Sequence, residues 1–266
     1  MRLGISTACF YPQPVEEILP ILAGLGVHAV EVFFNTESEF SPRFYEQLGA
    51  QARQLGLDIV SVHPYTSLME GLLLFSDYQR RTEDGLMQYQ RYLECAAALG
   101  ARFFTFHGER DMGHADDPAR WARKCEVYRR LCGLAASCGV TLAQENVAWC
   151  RSRDPAFLSA LYRDVPALRY TLDIKQAHRA GRHPREFIDA VGERLVNIHI
   201  NDFSAEQSCL LPGAGTMDYA DFFSRLRAAG YSGHALIEVY RSNFTGPDDL
   251  ARAVSVLSRI FDGLTG

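Results

Sequence analysis

The chain has 266 residues, 47% of them hydrophobic, enough to bury a sizeable core, and a lone α/β barrel takes about 250 residues. Its 27 basic and 32 acidic residues leave a net charge of −5, which speaks against the strongly positive field of a dedicated nucleic-acid binder. No run reaches the roughly 18 apolar residues of a membrane span, the opening MRLGISTACFYPQP lacks the basic and apolar regions of a secretion signal, and the seven cysteines form no CxxC pair. Free thiols and a cytoplasmic location are therefore expected.

Short β-branched or aromatic runs alternate with helical patterns from end to end, the pattern of repeated βα units around a parallel sheet. Strands are predicted at 3–10, 29–34, 58–65, 102–109, 141–147, 169–177, 196–203 and 234–240. Helices are predicted near 14–25, 41–55, 78–99, 118–138, 154–164, 184–194, 218–229 and 248–263, with apolar residues at three- and four-residue spacing as in Leu93, Ala96, Ala97. Gly26, Gly56, Gly100, Gly139 and Gly230 each stand where a helix should end in a left-handed cap. Eight such units predict one (β/α)8 TIM barrel domain over 1–266, with no linker or low-complexity run to divide it. The connections that leave the strands, notably 66–77, 108–117 and 204–217, are the longer and more polar ones, and active-site loops of a barrel lie on that side.

Alternate side chains of a barrel strand point inward, so the last inward residue of each strand joins a ring at the mouth. That ring is read as Glu31, His63, His107, Glu145, Asp173, His199 and Glu238. One such residue is ordinarily a solvated or hydrogen-bonded group, whereas seven at equivalent places point to a site. Carboxylates converging in a partly desolvated mouth raise one another's pKa unless a cation offsets them. Glu145, Asp173, His199 and Glu238 offer three oxygens and one nitrogen, a set suited to one divalent ion, Mn²⁺, Mg²⁺, Co²⁺ or Zn²⁺.

The HPY at 63–65, HGE at 107–109, QEN at 144–146, LDIKQAH at 172–178, HIND at 199–202, LLPGAGTMDY at 210–219 and IEVY at 237–240 together resemble the xylose isomerase-like TIM-barrel superfamily. That group includes sugar-phosphate isomerases and epimerases, inosose dehydratases and endonuclease IV. The resemblance implies that Glu145, Asp173, His199 and Glu238 are the metal ligands and that Glu145 and Glu238 are also the acid/base pair. It implies that His63 and His107 either line a substrate pocket or hold a second metal. It also suggests a homodimer or homotetramer.

Gln176 stands where the three-metal nuclease has a histidine, and SAEQSCLLP at 204–212 contains no aspartate-x-histidine pair. With the acidic net charge, this disfavours abasic-site cleavage, which needs a full metal cluster and a phosphate-binding surface. A non-catalytic sugar-binding barrel would be marked by the loss of a ligand, and none is lost. Gln176, His178 and Arg241 are candidates for substrate contact, each weighed against a solvated loop role, as is Lys175. Asp202 would orient a ligand or cap its loop. The glycines of 212–215 lack the GxxxxGK[ST] spacing of a phosphate loop, and Leu72 to Phe75 form either a lid or ordinary packing. The expected chemistry is proton transfer next to a carbonyl of a sugar or sugar phosphate through a metal-stabilised enediolate, giving epimerisation, isomerisation or, if a hydroxyl leaves, dehydration of a polyol ketone.

Overall fold

The computed structural model describes residues 1–113 and 117–263, so 114–116 of the loop 108–117 lie outside the described residues. Eight parallel strands hydrogen-bond in chain order, and the eighth closes on the first. They are β1 (Arg2–Ser6), β2 (Ala29–Phe33), β3 (Asp58–His63), β4 (Phe103–Phe106), β5 (Thr141–Glu145), β6 (Arg169–Asp173), β7 (Leu195–Ile200) and β8 (His234–Ile237). The helices between them are α1 (Val15–Gly24), α2 (Pro42–Gln54), α3 (Glu70–Leu73), α4 (Gln79–Ala98), α5 (Pro118–Ser137), α6 (Pro155–Asp164), α7 (Ile174–Arg179), α8 (Pro184–Val191), α9 (Tyr219–Ala228) and α10 (Pro247–Gly263). The protein is a single (β/α)8 barrel, as expected.

Local chemistry sets the helix ends. Five helices start on proline, whose missing N–H costs nothing at a first turn. Asp117 and Asp154 then cap α5 and α6 by accepting from Arg120 N and Ala156 N. The five glycines expected to close helices all have positive φ, between 69° and 79°.

The outward faces of the strands bury Ile5, Val30, Val62, Phe104, Leu142, Leu172 and Ile198 against the helices, each such side chain contributing about 1.5–3 kcal/mol of transfer free energy. Inside the barrel, Gly4, Ala29 and Leu236 close one end so tightly that a Cβ on Gly4 would lie 2.3 Å from the Ala29 carbonyl oxygen. Towards the other end the interior is polar, with Ser6, Glu31, Ser61, Thr105, Thr171 and Asn197 all buried. Barrel interiors usually stack branched apolar residues, and polar groups there must find partners. Thr105 and Thr171 pair their hydroxyls at 3.2 Å, and Glu31 gathers the rest.

Two expectations are corrected. The segment 174–177 is not strand: Asp173 ends β6 and accepts from Gln176 N at 3.0 Å, starting α7. On β2 the last inward residue is Phe33, stacked on His63 at 4.6 Å, and Glu31 lies deeper in the barrel rather than in the mouth ring. Of the apolar run after β3, Leu74 is buried and Phe75 packs on Tyr128, while Leu72 is exposed. None of the seven cysteines, all among the described residues, forms a disulfide. Among the described residues no helix is long and apolar enough to cross a membrane.

Candidate active site

Inward alternation places Glu145, Asp173, His199 and Glu238 at the ends of four successive strands, and one donor atom from each lies within 4.8 Å of all the others. His199 Nδ1 stands 3.1 Å from Glu238 Oε2, 3.5 Å from Glu145 Oε1 and 3.8 Å from Asp173 Oδ2. His199 Nδ1 and Asp173 Oδ2 are buried and lack a hydrogen-bond partner. Unsatisfied polar atoms of this kind are costly, and two aimed at one point among carboxylates fit a divalent cation of oxygen and nitrogen preference.

Glu145 also belongs to a second group. His63 Nε2 and His107 Nε2 lie 3.3 and 3.1 Å from its Oε2 and 2.9 Å from each other. His63 Nδ1 is within 3.1 Å of the Pro64 carbonyl, which holds a proton on Nδ1 and would leave Nε2 to give its lone pair to an ion or, with none bound, to carry a proton towards Glu145. Glu145 could thus bridge two ions or hold one while the histidines face substrate.

Several buried groups aim these side chains. On the far side of the His199 ring, Nε2 lies 3.1 Å from the Glu31 carboxylate, which holds a proton on Nε2 and would leave Nδ1 to give its lone pair to an ion in the cluster. Glu31 also accepts from Ser6, Ser61 and Asn197. Asn146 grips the backbone of Asp173 on both sides, donating to its carbonyl at 3.0 Å and accepting from its N–H at 2.7 Å. Asn201 Nδ2 donates to Asp173 Oδ1. Glu70, fully buried on α3, accepts from the N–H groups of His107 and Gly108 and from the Tyr89 hydroxyl.

Lys175 is buried as well. Its ammonium donates to Glu238 Oε2 at 3.0 Å and lies 3.1 Å from Asp173 Oδ2, and it sits 5.4 Å from the centre of the Tyr240 ring. Burial opposes the charge of Glu238, yet Lys175 and then His199 hold its carboxyl well below the usual range. Glu145 is likewise held well below against burial, by His107, His199 and His63. Burial pushes Asp173 up despite Lys175. Against its own burial, His199 is drawn well above its ordinary value by Glu31 and Glu238. The pocket demands positive charge, and a bound cation would supply it.

The remaining candidates are placed differently. Gln176 accepts from Ala148 N at 3.1 Å, His178 stacks on Phe203 at 4.3 Å, and Arg241 donates to the Phe244 carbonyl at 2.8 Å while lying over its ring. The structure does not bring Arg241 into the cluster. Asp202 accepts from Phe203, Gly213 and Met217 N–H groups, so it anchors its own loop, and Asn201 is the neighbour that touches Asp173. Phe33 and Trp149, the latter 5.3 Å from His107 edge to face, wall the histidines. Neither was singled out from sequence, since an aromatic beside a strand end reads as core. Glu70 was also missed, although a lone acid in the apolar run 68–75 was a visible signal.

A family model described as xylose isomerase-like TIM barrel matches residues 19–260. An uncharacterized protein of Mycobacterium leprae (strain TN) is 26% identical over 91% of this chain and 90% of its own. The 3-dehydroshikimate dehydratase of Pseudomonas aeruginosa is 26% identical over 91% of this chain, which corresponds to 39% of that enzyme. Among solved structures, D-psicose 3-epimerase from Clostridium cellulolyticum H10 superposes with a TM-score of 0.82, covering 98% of this chain and 99% of that one at 17% identity. With a closed eight-stranded barrel and a polar ring at its mouth already in view, the match over residues 19–260 settles the family: the chain belongs to the xylose isomerase-like TIM barrels.

Proposed function

We propose that the protein is a metal-dependent isomerase or epimerase of a small sugar or sugar phosphate, working by proton transfer next to a carbonyl. The observation that carries this reading is the convergence of Glu145, Asp173, His199 and Glu238 on one point, with the orphaned His199 Nδ1 and Asp173 Oδ2 facing it. These four residues would hold a divalent ion, which would fix neighbouring oxygens of the substrate and stabilise negative charge on them. Glu145 and Glu238 come from strands three apart around the barrel, so they can address two faces of a carbon placed between them, one taking a proton and the other returning it. Both are held in the carboxylate form that a base requires, so the one that delivers must first take a proton from solvent, and the one that accepts must later release its own. His63 and His107 lie within hydrogen-bond reach of Glu145 and would either orient it and bind a substrate hydroxyl or, with excess metal, hold a second ion together with it. Phe33 and Trp149 would cover the apolar face of a sugar and exclude water.

Loss of a hydroxyl from the same intermediate would be dehydration, a second reading favoured by the P. aeruginosa dehydratase relative. The two separate in one screen. Purified protein with Mn²⁺ is incubated with ketoses, aldoses, inososes and 3-dehydroshikimate, and exchange of the substrate C–H with deuterated water is followed by NMR. Exchange with epimer or isomer formation supports the first reading, and water loss supports the second. Glu145→Gln should abolish either, and turnover retained in that variant would sink the assignment.

A further inference from the structure

Lys175 has no ordinary structural reason to be where it is. It is 4% exposed, and an ammonium removed from water costs several kcal/mol unless its surroundings repay it. Apolar side chains of similar length would pack there without that cost. What surrounds it is the metal quartet itself: Glu238 Oε2 at 3.0 Å and Asp173 Oδ2 at 3.1 Å. The first contact is a hydrogen bond. The second is a charge contact that leaves Asp173 Oδ2 without a hydrogen-bond partner, its lone pair still free for an ion.

The ammonium is also held in place. Lys175 lies in the first turn of α7, whose start is fixed by the Asp173 side chain. Its outer side is covered by Tyr240, whose ring also receives the Arg179 guanidinium at 5.2 Å and whose hydroxyl accepts from Arg179.

Three carboxylates around a dication leave one negative charge in the coordination shell, which would oppose a substrate oxygen gaining negative charge. One fixed ammonium against two of those carboxylates brings the sum over the ion, its ligands and Lys175 to zero, with the Glu31 carboxylate set behind His199.

We propose that Lys175 is the built-in counter-charge of the metal centre: it weakens the centre's hold on the bare divalent ion and leaves the loaded centre balanced for an oxyanion. The inference rests on the metal reading above and adds a role for a residue outside the ligand set. It also sets the class of ligand the loaded centre prefers, namely chelating oxygen donors that carry or develop one negative charge.

The test needs no substrate. Mn²⁺ affinity of the full chain is measured by titration with electron paramagnetic resonance of the free ion, for the wild type and for Lys175→Met, Lys175→Gln and Lys175→Arg, each checked for folding by circular dichroism. The Met and Gln variants should bind Mn²⁺ about tenfold more tightly or better, since a unit charge a few ångströms away has been removed, and the Arg variant should stay within about threefold of wild type. Should the Met variant fail to fold, the Gln variant carries the comparison. The second arm titrates acetohydroxamate, an anionic bidentate oxygen donor, into Mn²⁺-saturated protein, and the Gln variant should bind it about tenfold more weakly than wild type.

Mn²⁺ binding in the neutral variants that is unchanged or weaker would overturn the proposal and make Lys175 a residue that merely orients carboxylates. Equal acetohydroxamate binding would overturn the oxyanion half. A wild-type protein that takes up no divalent ion at all would remove the metal reading and this one together, an outcome distinguishable from either of the others.

Discussion

Glu31 and His199 face each other across the barrel interior, the imidazole Nε2 3.1 Å from the carboxylate and neither side chain exposed. This contact turns the other ring nitrogen towards the quartet, where it would give its lone pair to a bound ion. Histidine ligands are commonly held by such an outer carboxylate, and its loss typically costs about 10–100-fold in metal affinity. Glu31→Gln, which keeps the volume and the contacts to Ser6 and Ser61, should weaken Mn²⁺ binding by about that factor while the protein stays folded. Mn²⁺ titration beside a thermal melt checks it. Wild-type affinity in the variant would reduce Glu31 to a core residue.

Glu70 makes a separate case because it touches no ligand side chain. Its carboxylate collects two backbone N–H groups at the end of β4 and one hydroxyl. Truncation to alanine would leave the two N–H groups without a partner, at about 1–3 kcal/mol each, while the Tyr89 hydroxyl keeps Thr66. Glu70→Ala should therefore lose roughly 3 kcal/mol or more in urea denaturation, whereas Tyr89→Phe, which removes one donor and orphans no charge, should lose about 1 kcal/mol. Equal losses would show that the backbone contacts to His107 and Gly108 contribute little.

These two acids mark where sequence reading stopped. The barrel itself was legible: β-branched and aromatic runs alternating with helical three- and four-residue spacing, and glycine after helices such as Gly100 and Gly139, are local signals. The convergence of Glu145, Asp173, His199 and Glu238 was legible too, because a parallel barrel puts successive strand ends side by side. What failed depended on side-chain direction or on short local structure. Ile174 and Ala177 look like a strand continuing β6, and only the ability of Asp173 to cap a helix argues otherwise. Glu31 shares the inward parity of the ring but sits one inward position below it, since β2 runs on to Phe33. Arg241 follows β8 closely, yet its guanidinium turns back to Phe244. No residue spacing reports such a turn.

The pair His63 and His107 bears on metal count. Their Nε2 atoms and Glu145 Oε2 form a three-donor group of suitable size, and zinc accepts imidazole and carboxylate together. Protein loaded with excess Zn²⁺ and then desalted should carry two ions per chain by elemental analysis. His107→Ala should carry one, and Glu145→Gln, which removes the shared ligand, should carry fewer than His107→Ala. A wild-type count of one would assign both histidines to substrate contact alone.

At the opposite end of the barrel, His234 supplies a pH signature independent of the site. Burial pushes its imidazole down from 6.5 to about 4, assisted by the Arg102 guanidinium, whose Nη2 lies 3.3 Å from Nε2, while Asp58 opposes the shift. In the folded protein the ring stays neutral down to about pH 4, but in the unfolded chain it takes a proton near pH 6.5. Between these values the unfolded state binds more protons, so stability rises with pH and falls as pH drops from 6.5 towards 4. The drop attributable to this one residue should be up to about 3 kcal/mol across the window. Urea midpoints at pH 7, 5.5 and 4.5 measure it. In His234→Gln, which cannot take up the proton in either state, the loss over the same range should shrink by most of that amount. An unchanged slope in the variant would shift the acid sensitivity to the carboxylates and histidines at the mouth.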